Sequence, residues 1–428
     1  MLAVCMLAFN NTVLAQNGKP AIIKADAKSE AANLYGKAAK KGDAQAQFQL
    51  GDCYEFGKNG VSANGEEAVK WYSLAAEQNH VDALCRLASC CESGKGTEYD
   101  IPKAVECYTK AATLGNVSAQ TWLGFYFLGK KNLPDSIEGL GDEVPSPDYA
   151  EAAKWFQRAA EQDTPDAAYQ LGQMYEIGLG VEQDFSEAAR WYEKSAKIIP
   201  DAAYRLALCY AYGLGKDKDM AMAASWFKEA AEKGDIDEAE LELANCYYVG
   251  AGVEQDYAEA VKWYEKVAEK DDADAMNALG VIYVTDECGM QDVVKAAECF
   301  KKASELGHAK AQFNYAVCLM EGIGCEIDQM EAVKWYRAAA LQGNADAQAN
   351  LAACYLLGEG VDTDPMKAVE WAKLAAEQGN VNGLYMLGGC YLEGLGVEKN
   401  ATEAVKCFQK AAEKGHAPSM EELKHLGK

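Results

Sequence analysis

The chain has 428 residues, half of them hydrophobic and only 9 of them proline. A disordered polymer is excluded, and because one compact core stops growing at ~250–300 residues, the length demands several domains or growth by repetition. Its 66 acidic side chains against 41 basic ones leave a formal charge of −25. Nucleic-acid phosphates and anionic lipid both attract Lys and Arg clusters, so neither is a favoured partner; the acidity favours solubility and, secondarily, basic proteins.

The N-terminus opens with the apolar run Met1 to Phe9, then Asn10-Asn11-Thr12, then Val13-Leu14-Ala15 before Gln16. A run of this length is too short to span a bilayer but fits the core of a secretory signal, and Val13-x-Ala15 offers small residues for cleavage. Residues 1–15 are therefore expected to be a signal peptide, with a basic leading region missing, and 16–30 an N-terminal extension. The expected location is periplasmic or extracellular, the cytoplasm being the alternative. A lipoprotein reading through Leu2-Ala3-Val4-Cys5 is weaker, because Val4 stands where a smaller residue is needed. No other segment reads as a membrane span, so no membrane insertion is expected after signal removal.

Internal periodicity organises the rest. Trp71, Cys107, Trp155, Trp191, Trp226, Trp263, Cys299, Trp335, Trp371 and Cys407 occupy one slot, at intervals of 36, 48, 36, 35, 37, 36, 36, 36 and 36 residues. The long interval marks an inserted loop over 131–147, which carries Pro134, Pro145 and Pro147. Within a unit, Ala347, Leu351 and Tyr355 recur at helical spacing before Gly358, and Ala368, Trp371 and Ala375 do so before Gly379. The pattern predicts two helices, each closed by a glycine able to take the left-handed conformation, with Asn380 placed to cap the next.

Leu171-Gly172, Tyr175, Gly178-Leu179-Gly180-Val181, Glu187-Ala188-Ala189, Trp191-Tyr192 and Ala196 resemble the pattern of the Sel-one-like repeat (SLR), a longer-looped relative of the tetratricopeptide repeat. The resemblance covers residues 31–428 and implies an all-α, right-handed αα-hairpin solenoid, a superhelix of ten complete repeats. A half-repeat stands at each end, Ala31–Gly42 with Leu34 in the Trp slot and Ala417–Lys428 with Leu423 in the Leu slot. A lone hairpin buries too little apolar surface to fold, so neighbouring units must share their faces. The resemblance further implies a non-catalytic scaffold or adaptor that holds a peptide or protein on a concave face built mainly from first helices.

The search for chemistry yields little beyond packing. His80, His308 and His416 precede first helices in the slot filled elsewhere by Asp43, Asn116, Asp235, Asn344 and Asn380, a capping slot that keeps them repeats apart; His425 stands alone in the tail. No metal site and no cofactor is expected. Of 15 cysteines, Cys53, Cys90, Cys209, Cys246, Cys318, Cys354 and Cys390 share one first-helix slot, Cys107, Cys299 and Cys407 replace the tryptophan, and no zinc-like C-x-x-C spacing occurs. The others are Cys5, Cys85, Cys91 and the loop residues Cys288 and Cys325. So many unpaired thiols suit a reducing compartment, in tension with export.

Ser225-Trp-Phe-Lys228 matches the S-x-x-K of penicillin-interacting enzymes, but its companion motifs are absent and Trp226-Phe227 is the repeat's own core pair. A β-lactam-binding or hydrolytic protein of the cysteine-rich Sel-one-like type is thus the competing reading, with no catalytic residue assigned. Phe48, Tyr169, Tyr204, Phe313 and Tyr385 follow the repeat's period and read as core. The loop Gly178-Leu179-Gly180 joins helix to helix and, beside Glu182 and Asp184, is no phosphate cradle. Finally, Cys90 with Cys107 and Cys390 with Cys407 lie 17 residues apart about a hairpin loop, at equal height on facing helices, so a disulfide is expected in each hairpin where both residues point inward.

Overall fold

The computed structural model describes residues 33, 35–129, 146–285 and 289–428. The expected signal 1–15, the extension 16–30, Cys5, Cys288 and the expected insertion, save Ser146 and Pro147, lie outside the described residues. Every regular element among the described residues is helical. First and second helices alternate as α1 (Ala44–Phe56), α2 (Gly65–Glu77), α3 (Val81–Ser93), α4 (Ile101–Thr113), α5 (Val117–Phe127), α6 (Tyr149–Ala160), α7 (Pro165–Ile177), α8 (Phe185–Ser195), α9 (Pro200–Tyr212) and α10 (Met220–Gly234). The series continues with α11 (Asp237–Val249), α12 (Tyr257–Ala268), α13 (Ala273–Val284), α14 (Val293–Glu305), α15 (Ala309–Glu321), α16 (Gln329–Leu341), α17 (Ala345–Leu357), α18 (Pro365–Glu377), α19 (Val381–Glu393), α20 (Ala401–Glu413) and α21 (Ala417–His425). The described residues group into two compact units, one ending at Lys194 and one starting at Ser195.

Local chemistry sets the helix ends. Asp43, Asn116, Asn344 and Asn380 cap first helices by accepting from backbone N–H groups three residues on, at 2.8–2.9 Å. Asn64, Asp100, Asp148, Asp256 and Asp328 do the same for second helices. Asp235 departs from the expected capping role. Helix α10 runs on through Gly234, Asp235 closes it in the left-handed conformation at φ 49°, and Ile236 takes the capping position without a side-chain bond. The cause is the 37-residue interval here, whose extra residue shifts the cap by one place.

Five of the hairpins close around a glycine–aromatic contact, and the other five carry alanine in the glycine's place. A Cβ on Gly51 would stand 2.6 Å from the ring of Tyr72, and the corresponding distances are 2.5 Å for Gly124 to Phe156, 2.7 Å for Gly172 to Tyr192, 2.5 Å for Gly280 to Phe300 and 2.6 Å for Gly388 to Phe408. The helices therefore approach to the limit that a missing side chain permits. These aromatics follow the Trp slot by one residue and are the deepest side chains of the fold, with Tyr72, Phe156 and Tyr192 wholly buried. The loop glycines join one repeat to the last: Gly180, at φ +74°, leaves no room for a Cβ beside the carbonyl oxygen of Tyr149, at 2.2 Å.

Candidate interaction surfaces

The tryptophans of the Trp slot are each less buried than the residue that follows them. Trp155, Trp191, Cys107 and Cys407 are buried, whereas Trp71, Trp226, Trp263, Trp335, Trp371 and Cys299 are half-buried. Trp71 packs on Ala39, Ala46 and Leu50 with Tyr54 alongside, and the ring of Trp335 meets that of Tyr315 edge-on at 6.0 Å. The Trp71 indole thus rests on the first helix of its own hairpin and on the helical segment before it.

First helices carry a ladder of half-buried rings. Phe48, Tyr169, Tyr204, Phe313 and Tyr385 stand 5.8–6.1 Å from Tyr72, Tyr192, Phe227, Tyr336 and Phe408. They are the outer edge of the core, not its centre. Successive first helices meet through polar groups: Arg86 lies 3.8 Å from Asp52 in the first unit, and in the second Asn314 donates to Asn277 at 3.0 Å. Tyr72 donates to Asp52 at 2.6 Å and to Glu55 at 2.7 Å; its burial, reinforced by both carboxylates, raises its pKa far above the ordinary phenol range. Burial likewise pushes Tyr336 up to about 12, so both act as fixed donors or acceptors in their neutral form.

A polar latch between repeats was missed in the sequence. Gln47, Gln120, Gln312 and Gln348 are buried, and each donates to the second helix before it, at the carbonyls of Ala39, Ala112, Ser304 and Ala340, at 3.0–3.3 Å. Each also accepts from a glutamine ending its own hairpin, Gln78, Gln162, Gln342 or Gln378, at 2.8–2.9 Å. Glu240 fills this slot in its own repeat of the second unit, where Lys270 stands at the place of the second glutamine. Glu240 is wholly buried and binds Lys266, and Lys270 at 3.4 Å; both ammoniums also reach Asp235, at 3.0 and 3.2 Å. The recurrence of Gln at one slot was the available signal.

The remaining candidates resolve into local roles. His80, His308 and His416 cap first helices as expected, Nδ1 accepting from Ala83, Ala311 and Ser419 at 3.3, 3.0 and 3.3 Å; His308 Nε2 lies 3.0 Å from Asp274 in the preceding repeat. Among the described residues no group of three His, Cys, Asp or Glu is placed to hold a metal. Ser225 and Lys228 lie exposed on α10, with the Lys228 ammonium 3.8 Å from Glu232.

The expected disulfides are not formed: Cys90, Cys107, Cys390 and Cys407 are buried free thiols. Equal height on the hairpin is insufficient, because a bond also needs both side chains turned toward each other. Burial pushes both Cys90 and Cys107 up to about 11. Around Cys299 a cleft of about 410 Å³ opens between α12 and α14, floored by Met276, Leu279 and Tyr283 of α13.

An array of capped, mutually buried helical hairpins is the architecture of an α-solenoid repeat protein. The Sel1 repeat model matches eleven segments, 2–43, 44–80, 81–116, 117–164, 165–197, 200–235, 237–272, 273–308, 309–344, 345–380 and 381–416; the chain belongs to the Sel1 repeat family. The ten segments from 44 onward are the ten units marked by the Trp slot, and the eleventh precedes them. In structure the chain is similar to c5321, a protective antigen of uropathogenic Escherichia coli with an SLR fold, at TM-score 0.64 and 29% identity over 92% of this chain and 90% of that one. A Sel1 repeat protein from Oxalobacter formigenes gives TM-score 0.50 and 29% identity, covering 57% of this chain and 96% of that one. In sequence it is 33% identical over 153 residues to chitin synthase regulator SKT5 and 33% over 132 to Activator of C kinase protein 1, both of Saccharomyces cerevisiae. Those matches take in 35% and 28% of this chain and only a fifth of each yeast protein. No helix among the described residues is long and apolar enough to cross a membrane.

Proposed function

We propose that the chain is a non-catalytic interaction scaffold that holds a polypeptide partner on the faces presented by its first helices. The observation that carries the reading is the recurrence of polar and aromatic groups at the fifth or sixth residue after the cap of those helices: Arg86, beside Asp52, in the first unit, and Tyr204, Asn277, Asn314 and Tyr385 in the second. Packing consumes the small and aliphatic residues and leaves these side chains half-buried or, at Arg86, exposed. Membership of a repeat family found in regulators and activators, by the names of its yeast relatives, supports it by analogy. The charge of −25 makes a basic partner the better fit. The apolar opening Met1–Phe9 with Val13-x-Ala15 supports the reading of an exported scaffold.

The test is capture from the native host with the full chain and with a Tyr204→Ala/Tyr385→Ala variant, followed by mass spectrometry. One partner retained by the parent and lost by the variant is expected; equal recovery by both removes the first-helix faces from the reading. A fluorescent penicillin separates the competing enzyme reading, since labelling abolished by Ser225→Ala would replace the scaffold with a β-lactam-reactive protein.

A further inference from the structure

Cys299 stands where seven of the ten repeats carry tryptophan, and the space an indole would fill is open. The cleft between α12 and α14 is walled by Ala268 and floored by Met276, Leu279 and Tyr283, all apolar contacts. Leu279, Tyr283 and Ala268 are the counterparts of Leu50, Tyr54 and Ala39, the residues on which or beside which Trp71 packs in its own repeat. Leu279 is also the counterpart of Tyr315, whose ring touches Trp335 at 6.0 Å. The cleft therefore has the lining of an indole site without the indole. Truncation alone does not account for it: Cys107 and Cys407 carry the same replacement and are only 6% and 8% exposed, whereas Cys299 is half-buried beneath the opening.

Size and charge narrow the occupant. A dry apolar cavity of ~150 Å³ accepts benzene and ligand clefts begin near ~300 Å³; about 410 Å³ admits an indole with part of the backbone that bears it. The rim carries Glu265, Glu269, Glu298, Lys295 and Lys302. Lys295 is already engaged, 3.7 Å from Asp292 and 5.4 Å above the Tyr283 ring, and Glu265 accepts from Tyr283 at 3.1 Å. Glu269, the residue that caps the end of α12, and Glu298 of α14 edge the mouth from opposite sides, both exposed to an incoming cation.

We infer that this cleft is a docking site for a tryptophan side chain of a partner polypeptide, flanked in that polypeptide by a basic residue that meets Glu269 and Glu298. The partner's indole completes the repeat, taking the place of the side chain that Cys299 lacks. This rests on the scaffold reading and adds to it a second surface, on the second-helix side, with a defined anchor. Fully burying an aromatic side chain removes ~150–250 Å² from water, the kind of central anchor on which interfaces depend.

The experiment is calorimetric titration of the full chain with the acetylated, amidated tripeptide Lys-Trp-Lys and with Lys-Ala-Lys. The tryptophan peptide is expected to bind at least about tenfold more tightly, a difference of ~1.4 kcal/mol; equal affinities overturn the proposal. Cys299→Trp, which restores the repeat's own residue, is expected to raise the melting temperature and abolish binding of Lys-Trp-Lys. A lower melting temperature, or binding that persists, shows that the cleft does not match an indole and overturns it. Glu298→Lys, an exposed change that leaves folding untouched, is expected to weaken the same peptide severalfold, and unchanged affinity also counts as refutation. Failure of these tests while a partner is still lost on Tyr204→Ala/Tyr385→Ala removes the cleft alone and leaves the scaffold standing.

Discussion

Gly360, at φ +67°, lies so close to Gln329 that a Cβ would stand 2.1 Å from the carbonyl oxygen of that residue, the first of the preceding repeat's second helix. The same fit joins Gly396 to Pro365 and Gly324 to Val293. The second glycine of the Gly-x-Gly loop is thus an inter-repeat joint. It combines a left-handed backbone with a contact that no side chain permits.

Gly360→Ala is expected to lower stability by about 3 kcal/mol or more, the sum of left-handed strain and overpacking. Gly343→Ala, at φ +89° with nothing within 4 Å of its Cβ, should cost only the ~1–2 kcal/mol of strain. Denaturant midpoints of the two variants check the difference, and equal losses would remove the joint.

The buried Glu240 carboxylate should tolerate loss of its partners poorly. Glu240→Ala leaves Lys266 and Lys270 without their buried acceptor and is expected to cost about 2–3 kcal/mol. Glu240→Gln/Lys270→Gln rebuilds the glutamine latch seen at Gln348 and Gln378, and should melt above Glu240→Ala and within a few degrees of the parent. Thermal unfolding followed by circular dichroism reads all three.

The thiols predict an alkaline limit. Burial pushes Cys246 and Cys354 up to about 11 and Cys318 up to about 12. A folded pKa raised above its unfolded value gives stability that is whole below the unfolded pKa, ~8.5, and is lost as pH rises toward the folded value. The melting temperature should therefore fall steadily between about pH 9 and pH 11, and Cys318→Ala should blunt the fall. Peptide mapping without reductant should find Cys90, Cys107, Cys390 and Cys407 unpaired.

N-terminal sequencing of native material addresses export. A mature chain beginning near Gln16 is the expected result; an intact Met1 in the soluble cytoplasm would assign the thiols to a reducing compartment and end the signal reading.

The sequence by itself determined the helices, the repeat and its caps, because these depend on residues close together in the chain. A glycine three residues past the last apolar position, or His308 one residue before α15, acts on backbone groups within one turn. It also marked the Trp slot, but only as a period. Which residue lies deepest was decided by packing: helix rotation places Tyr72 and Tyr192 against Gly51 and Gly172 and leaves the tryptophans beside them less buried. The failed disulfides have the same origin. Spacing fixes height along a hairpin, whereas the direction of Cys90 and Cys107 about their helix axes is set by how the helices pack on one another. The cleft at Cys299 belongs wholly to tertiary structure, since the replacement also occurs at Cys107 and Cys407 and only the side chains gathered around it from α12, α13 and α14 determine whether the vacated space closes or stays open.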